Sequence, residues 1–221
     1  MRTILCYGDS NTYGQVPGGG PLDRYPRSQR WSGVMAAELG PGWDVIGEGL
    51  SGRTTVHDDP IEGAHKNGRT YLTPCIQSHA PLDLVILMLG TNDLKRRFNQ
   101  PASEVAMGIG TLIHDIRDFN PGWPGRTPEI FVVAPPPMKD ELHEWNSVFA
   151  GAPSKSRELA LEFEIMADSL EVHFMDAGKI AQSDPRDGFH LGIEAHRAIG
   201  LALAEVISAI GWPPLKGVVH A

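Results

Sequence analysis

The run Leu84-Val85-Ile86-Leu87-Met88-Leu89 is the longest unbroken apolar stretch in the chain, and Gly90 follows it directly. A strand with apolar side chains at every position is buried on both faces, which is typical of a parallel sheet covered by helices. The run is far too short to span a bilayer. It therefore predicts an interior strand of an α/β domain.

Four further segments have the same strand-like character, and helix-like segments lie between them. The predicted strands are Thr3–Tyr7, Asp44–Gly47, Leu84–Leu89, Ile130–Ala134 and Val172–Met175. The predicted helices are Trp31–Leu39, Pro101–Phe119, Ser154–Leu170 and Ile193–Ile210. This alternation predicts a five-stranded parallel sheet with helices on both sides, a three-layer α/β/α sandwich. Residues Gly52–Pro81 and Pro135–Pro153 lack periodicity and predict long irregular surface segments.

Length and composition exclude several classes of protein. We expect the 221 residues, 1–221, to form a single domain. Nineteen Lys and Arg against 27 Asp and Glu give a net charge of -8, which argues against a nucleic-acid partner. Cys6 and Cys75 lie far apart and predict two reduced thiols. Because the N-terminus lacks the features of a secretory signal, we expect a cytoplasmic protein with no membrane partner.

Five residues with useful chemistry follow the predicted strands. Ser10 ends Gly8-Asp9-Ser10 after the first strand, Gly52 comes after the second, Asn92 after the third, and Asp187 and His190 after the last. The carboxyl ends of parallel strands share one edge of the sheet, where ligands bind. We therefore expect these residues to meet at one site.

The residue types at this edge indicate a serine nucleophile. A hydroxyl is a poor nucleophile at neutral pH unless an imidazole takes its proton and a carboxylate fixes the imidazole tautomer. In this interpretation Ser10 attacks a carbonyl carbon, His190 acts as general base and then general acid, and Asp187 orients His190. Candidate oxyanion donors are the backbone N–H groups of Ser10 and Gly52 and the side-chain amide of Asn92. We expect neither a metal nor a cofactor in this chemistry.

The same residues fall in four short blocks that resemble the SGNH (GDSL-type) hydrolase family. The blocks are Gly8-Asp9-Ser10, Leu50-Ser51-Gly52-Arg53-Thr54, Gly90-Thr91-Asn92-Asp93 and Asp187-Gly188-Phe189-His190. Four blocks in the right order are much more specific than one. The resemblance implies a flavodoxin-like sandwich in which Ser10 is the nucleophile, Gly52 and Asn92 are oxyanion donors, and Asp187 and His190 complete the triad.

Three longer strings resemble the arylesterase and acyltransferase (perhydrolase) branch of that family. They are Arg30-Trp31-Ser32-Gly33-Val34, Glu48-Gly49-Leu50-Ser51-Gly52-Arg53-Thr54-Thr55 and Pro135-Pro136-Pro137. The resemblance implies small-molecule esters with short acyl chains as substrates, acyl transfer or perhydrolysis beside hydrolysis, and a homo-oligomer. Members noted for acyl transfer carry bulky apolar groups around the nucleophile, where this chain has Asn11, Tyr13 and Gln15.

Two other functions fit the same pattern. A carbohydrate O-deacetylase would use the same carbonyl chemistry and differ only in the alcohol. A non-catalytic flavodoxin-like module would use the loop edge to bind a small ligand, and a fluorophosphonate would not label it.

Further expectations concern residues near the site. We expect Asp9 to brace its turn and Asp93 to cap a helical turn, with neither reacting. We expect His196 to be exposed and His57-Asp58-Asp59 to form a solvated loop rather than a metal site. Trp145 and Phe149 are one helical turn apart and could line a pocket, pack within their loop or form a subunit contact. Several loop cations could contact a polar substrate, although solvation is the simpler expectation: Arg53, Lys95, Arg96 and Arg97.

Overall fold

The computed structural model describes residues 1–212 of the 221. This part of the chain contains five strands, β1 (Arg2–Gly8), β2 (Trp43–Gly49), β3 (Leu84–Met88), β4 (Glu129–Ala134) and β5 (His173–Asp176). They form one sheet in the order β2-β1-β3-β4-β5, and every neighbouring pair is parallel. The predicted parallel sheet is confirmed, with strand ends that differ by one or two residues.

Helices cover both faces of the sheet. They are α1 (Ser10–Tyr13), α2 (Trp31–Leu39), α3 (Gly68–His79), α4 (Ala102–Phe119), α5 (Ala152–Ser169) and α6 (Ile193–Ala209). Successive side chains of a strand point to opposite faces. In β1, Leu5 and Tyr7 accordingly pack in the core beneath α3, α4 and α5, whereas Ile4 and Cys6 pack in the core beneath α2 and α6. The three-layer α/β/α architecture is therefore confirmed.

Helix α3 lies inside Gly52–Pro81, where an irregular segment was expected, so that prediction is wrong over these twelve residues. Pro74 sits within the helix and has no N–H to donate to the carbonyl of Thr70, which argues against a helix on local grounds. Leu72 and Ile76 are fully buried against the core. Their burial outweighs the local cost of the proline, a balance that periodicity alone does not reveal.

The other expectations about organisation have simpler outcomes. Between β4 and α5 the chain makes only a short 3-10 turn, His143–Trp145, in agreement with the irregular segment predicted there. Cys6 and Cys75 are both unpaired and buried. Within residues 1–212, no helix has the length and apolar character needed to cross a membrane.

His196 on α6 is fully buried, so the expectation that it is exposed is wrong. Its Nδ1 accepts a hydrogen bond of 3.2 Å from the backbone N–H of Trp31, the first residue of α2. A first-turn N–H has no partner within its own helix, so the imidazole acts as its acceptor. Burial, with a smaller contribution from the positive charge of Arg30, lowers the pKa of His196 to about 4. The neutral side chain thus joins α6 to the start of α2.

We predict that His196 makes the fold sensitive to acid. An unfolded histidine has a pKa of about 6.5, so between that value and the folded pKa of about 4 the unfolded chain binds more protons. The contribution of His196 to the free energy of unfolding is fully present above about pH 6.5. It falls by up to about 3 kcal/mol as the pH drops from about 6.5 to about 4. Urea unfolding from about pH 7 to about pH 4 measures the loss.

The matched variant is His196→Asn, whose amide oxygen keeps an acceptor for the Trp31 N–H but does not titrate. Subtracting the unfolding free energies of the two proteins removes the contribution of the carboxyl groups that titrate over the same pH range. The difference in unfolding free energy between the wild type and His196→Asn should become smaller as the pH falls. If the unfolding free energies of the two proteins ran parallel over the whole pH range, the prediction would be wrong.

Candidate active site

Ser10 is the first residue of α1 and directly follows the turn at the end of β1. Asp9 caps this short helix, because its Oδ1 accepts a 2.9 Å hydrogen bond from the backbone N–H of Asn11. Asp9 therefore braces the turn, as expected. Burial raises the pKa of Asp9 to about 6. The backbone N–H of Ser10 belongs to the first turn and donates to no group within residues 1–212.

Asp187 and His190 lie in the loop between β5 and α6. Asp187 Oδ1 accepts hydrogen bonds from the backbone N–H groups of Phe189 and His190, at 3.2 and 3.0 Å. Its Oδ2 accepts a further bond of 2.9 Å from the N–H of Gly18. Gly188 has a φ of +87°, a conformation that glycine adopts without strain, and it lets the loop fold back over Asp187. Backbone N–H donors therefore hold the Asp187 carboxylate in place next to the imidazole of His190.

The structure brings Ser10, Asp187 and His190 together. His190 Nδ1 lies 2.8 Å from Asp187 Oδ2, and His190 Nε2 lies 3.0 Å from Ser10 Oγ. Burial raises the pKa of Asp187, but the hydrogen bond and charge of His190 and the backbone donors outweigh it and lower the pKa to about 2. An ionised carboxylate favours the tautomer with the proton on Nδ1, in which the Nε2 lone pair faces the hydroxyl.

Gly52 lies in the loop after β2 and borders the same cavity as Ser10. Its φ is +83°, a conformation that glycine adopts without strain and that other residues rarely adopt. Lys66 Nζ donates a 2.7 Å hydrogen bond to the carbonyl of Ser51 and steadies this loop. The N–H of Gly52 makes no hydrogen bond within the part of the chain that the structure describes.

Asn92 follows β3 in a 3-10 turn and borders the cavity from the other side. Its Nδ2 donates to the carbonyl of Arg53 at 3.1 Å and to Asp9 Oδ2 at 3.4 Å, which fixes the orientation of the amide. The contact with Asp9 is at the limit of hydrogen-bond distance. One amide hydrogen is thus only weakly engaged and can turn toward a stronger acceptor.

Asp93 does not cap a helical turn, so that expectation is wrong. Its carboxylate accepts hydrogen bonds from Thr55 N at 2.9 Å and from Thr55 Oγ1 at 2.5 Å, which ties the turn after β3 to the loop after β2. Because Asp93 is fully buried and its partners are neutral, burial raises its pKa to about 6. The Asp93 carboxylate therefore fixes the positions of the two loops that carry Asn92 and Gly52.

Asn11 joins the two halves of the site, a role that its sequence context does not predict. Its Nδ2 donates to the carbonyl of Phe189 at 3.2 Å, and its Oδ1 accepts from the N–H of Leu191 at 2.9 Å. These two residues flank His190 on either side. The side chain beside the candidate nucleophile therefore holds the backbone that carries the imidazole.

Charged side chains form one wall of the cavity, where solvated residues were expected. Lys95 is 2% exposed, and its Nζ lies 2.6 Å from Glu62 Oε1 and 3.3 Å from Asp59 Oδ2. Arg97 pairs with the same two carboxylates. The expectation of solvation is wrong for Asp59 and Lys95, because mutual pairing compensates for their removal from water. The partners lie far apart in sequence, so no local pattern indicates the pairing.

Arg53 is also buried, although it was expected to be solvated or to contact a substrate. Its Nη1 donates to the carbonyls of Gly8 at 2.8 Å and Glu48 at 2.5 Å, and its guanidinium lies over the ring of Tyr7. It does not border the cavity. Arg53 therefore connects the ends of β1 and β2 and supports the loop that carries Gly52.

The cavity has a volume of about 290 Å³ and two contrasting walls. Trp145, Phe149 and Phe189 form an aromatic wall, with ring centroids 5.1 to 6.5 Å apart. Both Trp145 and Phe149 border the cavity, as considered above. Phe149 is 1% exposed and so is unavailable to a second subunit, whereas Trp145 is 36% exposed. The opposite wall carries the polar groups of Glu62, Lys66 and Lys95.

The five-stranded parallel sheet covered by helices on both faces is the fold of the SGNH hydrolases, and Ser10, Asp187 and His190 meet at its carboxyl edge. The chain matches the model of the GDSL-like lipase/acylhydrolase family over residues 6–198, and it belongs to this family. The protein is therefore an esterase or acylhydrolase, and the resemblance seen in the four sequence blocks is confirmed.

Solved structures agree with this assignment. A carbohydrate acetylesterase from Sinorhizobium meliloti is 43% identical with a TM-score of 0.90, over 95% of this chain and 99% of that chain. An aryl esterase from M. smegmatis is 40% identical with a TM-score of 0.89, over the same shares of the two chains. A carbohydrate acetylesterase family member from Sinorhizobium meliloti is 38% identical with a TM-score of 0.88, over 95% and 98%. A search of curated protein sequences gave no match.

We predict that Asn11→Ala lowers kcat more than it raises KM. The substitution leaves the Phe189 carbonyl and the Leu191 N–H without their partner, so the backbone on both sides of His190 loosens. An unsatisfied buried group costs about 1–3 kcal/mol of stability. Steady-state kinetics with phenyl acetate and urea unfolding measure the two effects.

Asn67→Ala is the matched control, because the Asn67 side chain also bonds backbone groups on both of its polar atoms, the N–H of Arg69 and the carbonyl of Val56. It should lose stability and retain kcat. Equal losses of kcat in the two variants would count against a positioning role for Asn11.

Proposed function

We propose that the protein is a serine esterase that hydrolyses short-chain carboxylic esters through an acyl-enzyme. The observation that carries the proposal is the hydrogen-bonded series from Asp187 through His190 to Ser10, with steps of 2.8 and 3.0 Å. In the proposed first step, Ser10 Oγ attacks the ester carbonyl carbon while His190 Nε2 takes the hydroxyl proton. Asp187 stays ionised and stabilises the imidazolium that forms.

The oxyanion of the tetrahedral intermediate would be held by donors that are already in place. These are the backbone N–H groups of Ser10 and Gly52, neither of which has a partner within residues 1–212, and the Nδ2 of Asn92. Donors that need no reorganisation give the largest stabilisation of a developing charge, and this describes the two backbone N–H groups. Asn92 would instead exchange its weak bond with Asp9 for a bond to the oxyanion. The rigid supports of Gly52 and Asn92 favour this assignment.

Collapse of the intermediate would release the alcohol and then the acid. His190 gives its proton to the departing alcohol, which leaves Ser10 as an ester of the acyl group. A water molecule then attacks this ester while His190 again accepts a proton, and the second collapse restores the serine hydroxyl. If an alcohol or hydrogen peroxide takes the place of water, the product is a new ester or a peracid. The outcome depends on how well the cavity excludes water.

The size of the cavity favours small substrates. Its volume of about 290 Å³ lies at the lower end of the range for ligand pockets. The aromatic wall of Trp145, Phe149 and Phe189 suits a short acyl chain or an aryl group. We therefore favour aryl and alkyl acetates over esters of long fatty acids.

A carbohydrate O-deacetylase is the second candidate, and the charged wall of the cavity favours it. Glu62, Lys66 and Lys95 can exchange hydrogen bonds with the hydroxyl groups of a sugar. Two of the structural neighbours are carbohydrate acetylesterases. The chemistry at Ser10 would be the same, and only the alcohol would differ.

We also propose that the protein forms a homo-oligomer. Large apolar side chains are exposed on the neighbouring helices α4 and α5, namely Met107, Leu161 and Ile165. Exposed apolar surface of this kind supports association between subunits.

We predict that Ser10→Ala abolishes covalent labelling by a fluorophosphonate and lowers hydrolysis of phenyl acetate by at least about 10³-fold. The reason is the loss of the hydroxyl oxygen that would attack the ester carbonyl and that the fluorophosphonate would modify. Ser51→Ala is the matched control, because Ser51 also borders the cavity and its Oγ has no hydrogen-bond partner. Mass spectrometry of the labelled protein decides: a full label on the Ser10→Ala protein would refute the mechanism.

We predict that wild-type kcat/KM is at least about tenfold higher for phenyl acetate than for an acetylated monosaccharide, a difference of about 1.4 kcal/mol in transition-state binding. The aromatic wall is the physical reason, because it stabilises an aryl group better than a hydrated sugar ring. Acetate release from the two substrates can be followed in one assay. A ratio in the opposite direction would favour the carbohydrate O-deacetylase.

A further inference from the structure

A second group of ionisable side chains lies between β2 and α3, outside the cavity of the candidate active site. His79 Nε2 is 2.9 Å from Glu48 Oε1. One ligand atom each from Glu48, Cys75 and His79 lies within 4.8 Å of the other two. None of the three borders the cavity that contains Ser10.

The fold itself places these three side chains together. Cys75 and His79 are one turn apart on α3 and so share a face of that helix. Glu48 pairs in register with Tyr7 and lies two residues after Ile46, whose side chain packs in the core beneath α3. Glu48 therefore projects from the same face of the sheet toward α3.

We propose that Glu48, Cys75 and His79 bind a divalent transition-metal ion of the zinc type. A thiolate, an imidazole and a carboxylate are the ligands that zinc takes in proteins. Tetrahedral bonds of the usual lengths place ligand atoms roughly 3.5 Å apart, so small rotations of these side chains close the present spacing. The fourth position is open to water.

The charges at this site match those of a divalent ion. One thiolate and one carboxylate neutralise the ion, and the imidazole binds it through a lone pair. Burial, followed by the negative charge of Glu48, raises the pKa of the Cys75 thiol to about 12, so the metal must displace the thiol proton to solvent.

An ion can reach the site from solvent, and once bound it would link two elements. The side chains of His79 and Glu48 are 27% and 25% exposed, whereas Cys75 lies behind them. A metal held by all three would join the edge strand β2 to α3. An ion that binds the folded chain more tightly than the unfolded one would raise the thermal midpoint, and the rise would grow with the logarithm of the free ion concentration above Kd.

Titration of the full chain with Co²⁺, after treatment with a chelator and a reductant, tests the proposal. We expect the near-ultraviolet charge-transfer band of a cobalt thiolate and the visible bands of tetrahedral cobalt, with Zn²⁺ displacing both. Cys75→Ser should abolish the charge-transfer band. Loss of a residue that only orients a metal ligand costs 10–100-fold in affinity, so His79→Ala should weaken binding at least about tenfold.

Cys6→Ser is the matched control, because Cys6 is equally buried but packs in the core on the other face of the sheet. It should keep the complete cobalt spectrum. Hydrolysis of phenyl acetate by Cys75→Ser shows that this variant is folded. No charge-transfer band in the wild type, or the same band in Cys75→Ser, would overturn the proposal. The cobalt spectrum does not depend on Ser10, so this experiment tests the metal site independently of the proposed esterase mechanism.

Discussion

The parallel pairing of β1 with a strand on each side is the constraint on which the site depends. Gly8, the last residue of β1, is in register with Gly49 of β2 and with Met88 of β3. Because all three strands run in the same direction, the loops that follow them leave from the same edge. Ser10, Gly52 and Asn92 are therefore neighbours in space, although they are far apart in the sequence. The loop after β5 then brings Asp187 and His190 over this edge.

Buried carboxylates hold these loops in place, and their partners determine their ionisation. Asp93 and Asp187 are both buried, yet burial raises the pKa of Asp93 to about 6, whereas the pKa of Asp187 falls to about 2. Asp93 bonds the neutral donors of Thr55, while Asp187 faces an imidazole that can carry a charge. The difference suits the proposed mechanism, in which only Asp187 has to remain an anion beside a histidine that gains a proton.

The sequence predicts those parts of the structure that depend on local pattern. Continuous apolar runs such as Leu84–Leu89 locate the strands, since burial on both faces leaves no alternation to misread. Helix α3 is missed because Pro74 and a polar surface contradict the helix locally, and only its packing against the core compensates. The buried position of His196 is missed for a similar reason, since its partner is the N–H of Trp31 in a distant helix.

The same distinction applies to the site. The short sequence blocks predict Ser10 and His190 as site residues because a serine and a histidine in these blocks indicate nucleophilic chemistry by their residue type alone. The role of Asn11 depends on contacts with residues at the other end of the chain. The pairing of Lys95 with Asp59 depends on two loops meeting in space. Neither contact leaves a spacing or a periodicity in the sequence.

Arg53 connects the end of β2, where Glu48 lies, to Asn92 at the cavity. Its guanidinium bonds the carbonyls of Gly8 and Glu48, and its own carbonyl accepts the amide of Asn92. Moving this buried guanidinium would break the two bonds that its Nη1 donates to those carbonyls, so Arg53 ties the end of β1 to the end of β2. An ion bound at Glu48 would therefore act on a strand end that Arg53 connects to Asn92, so the proposed metal site and this proposed oxyanion donor would be linked without direct contact.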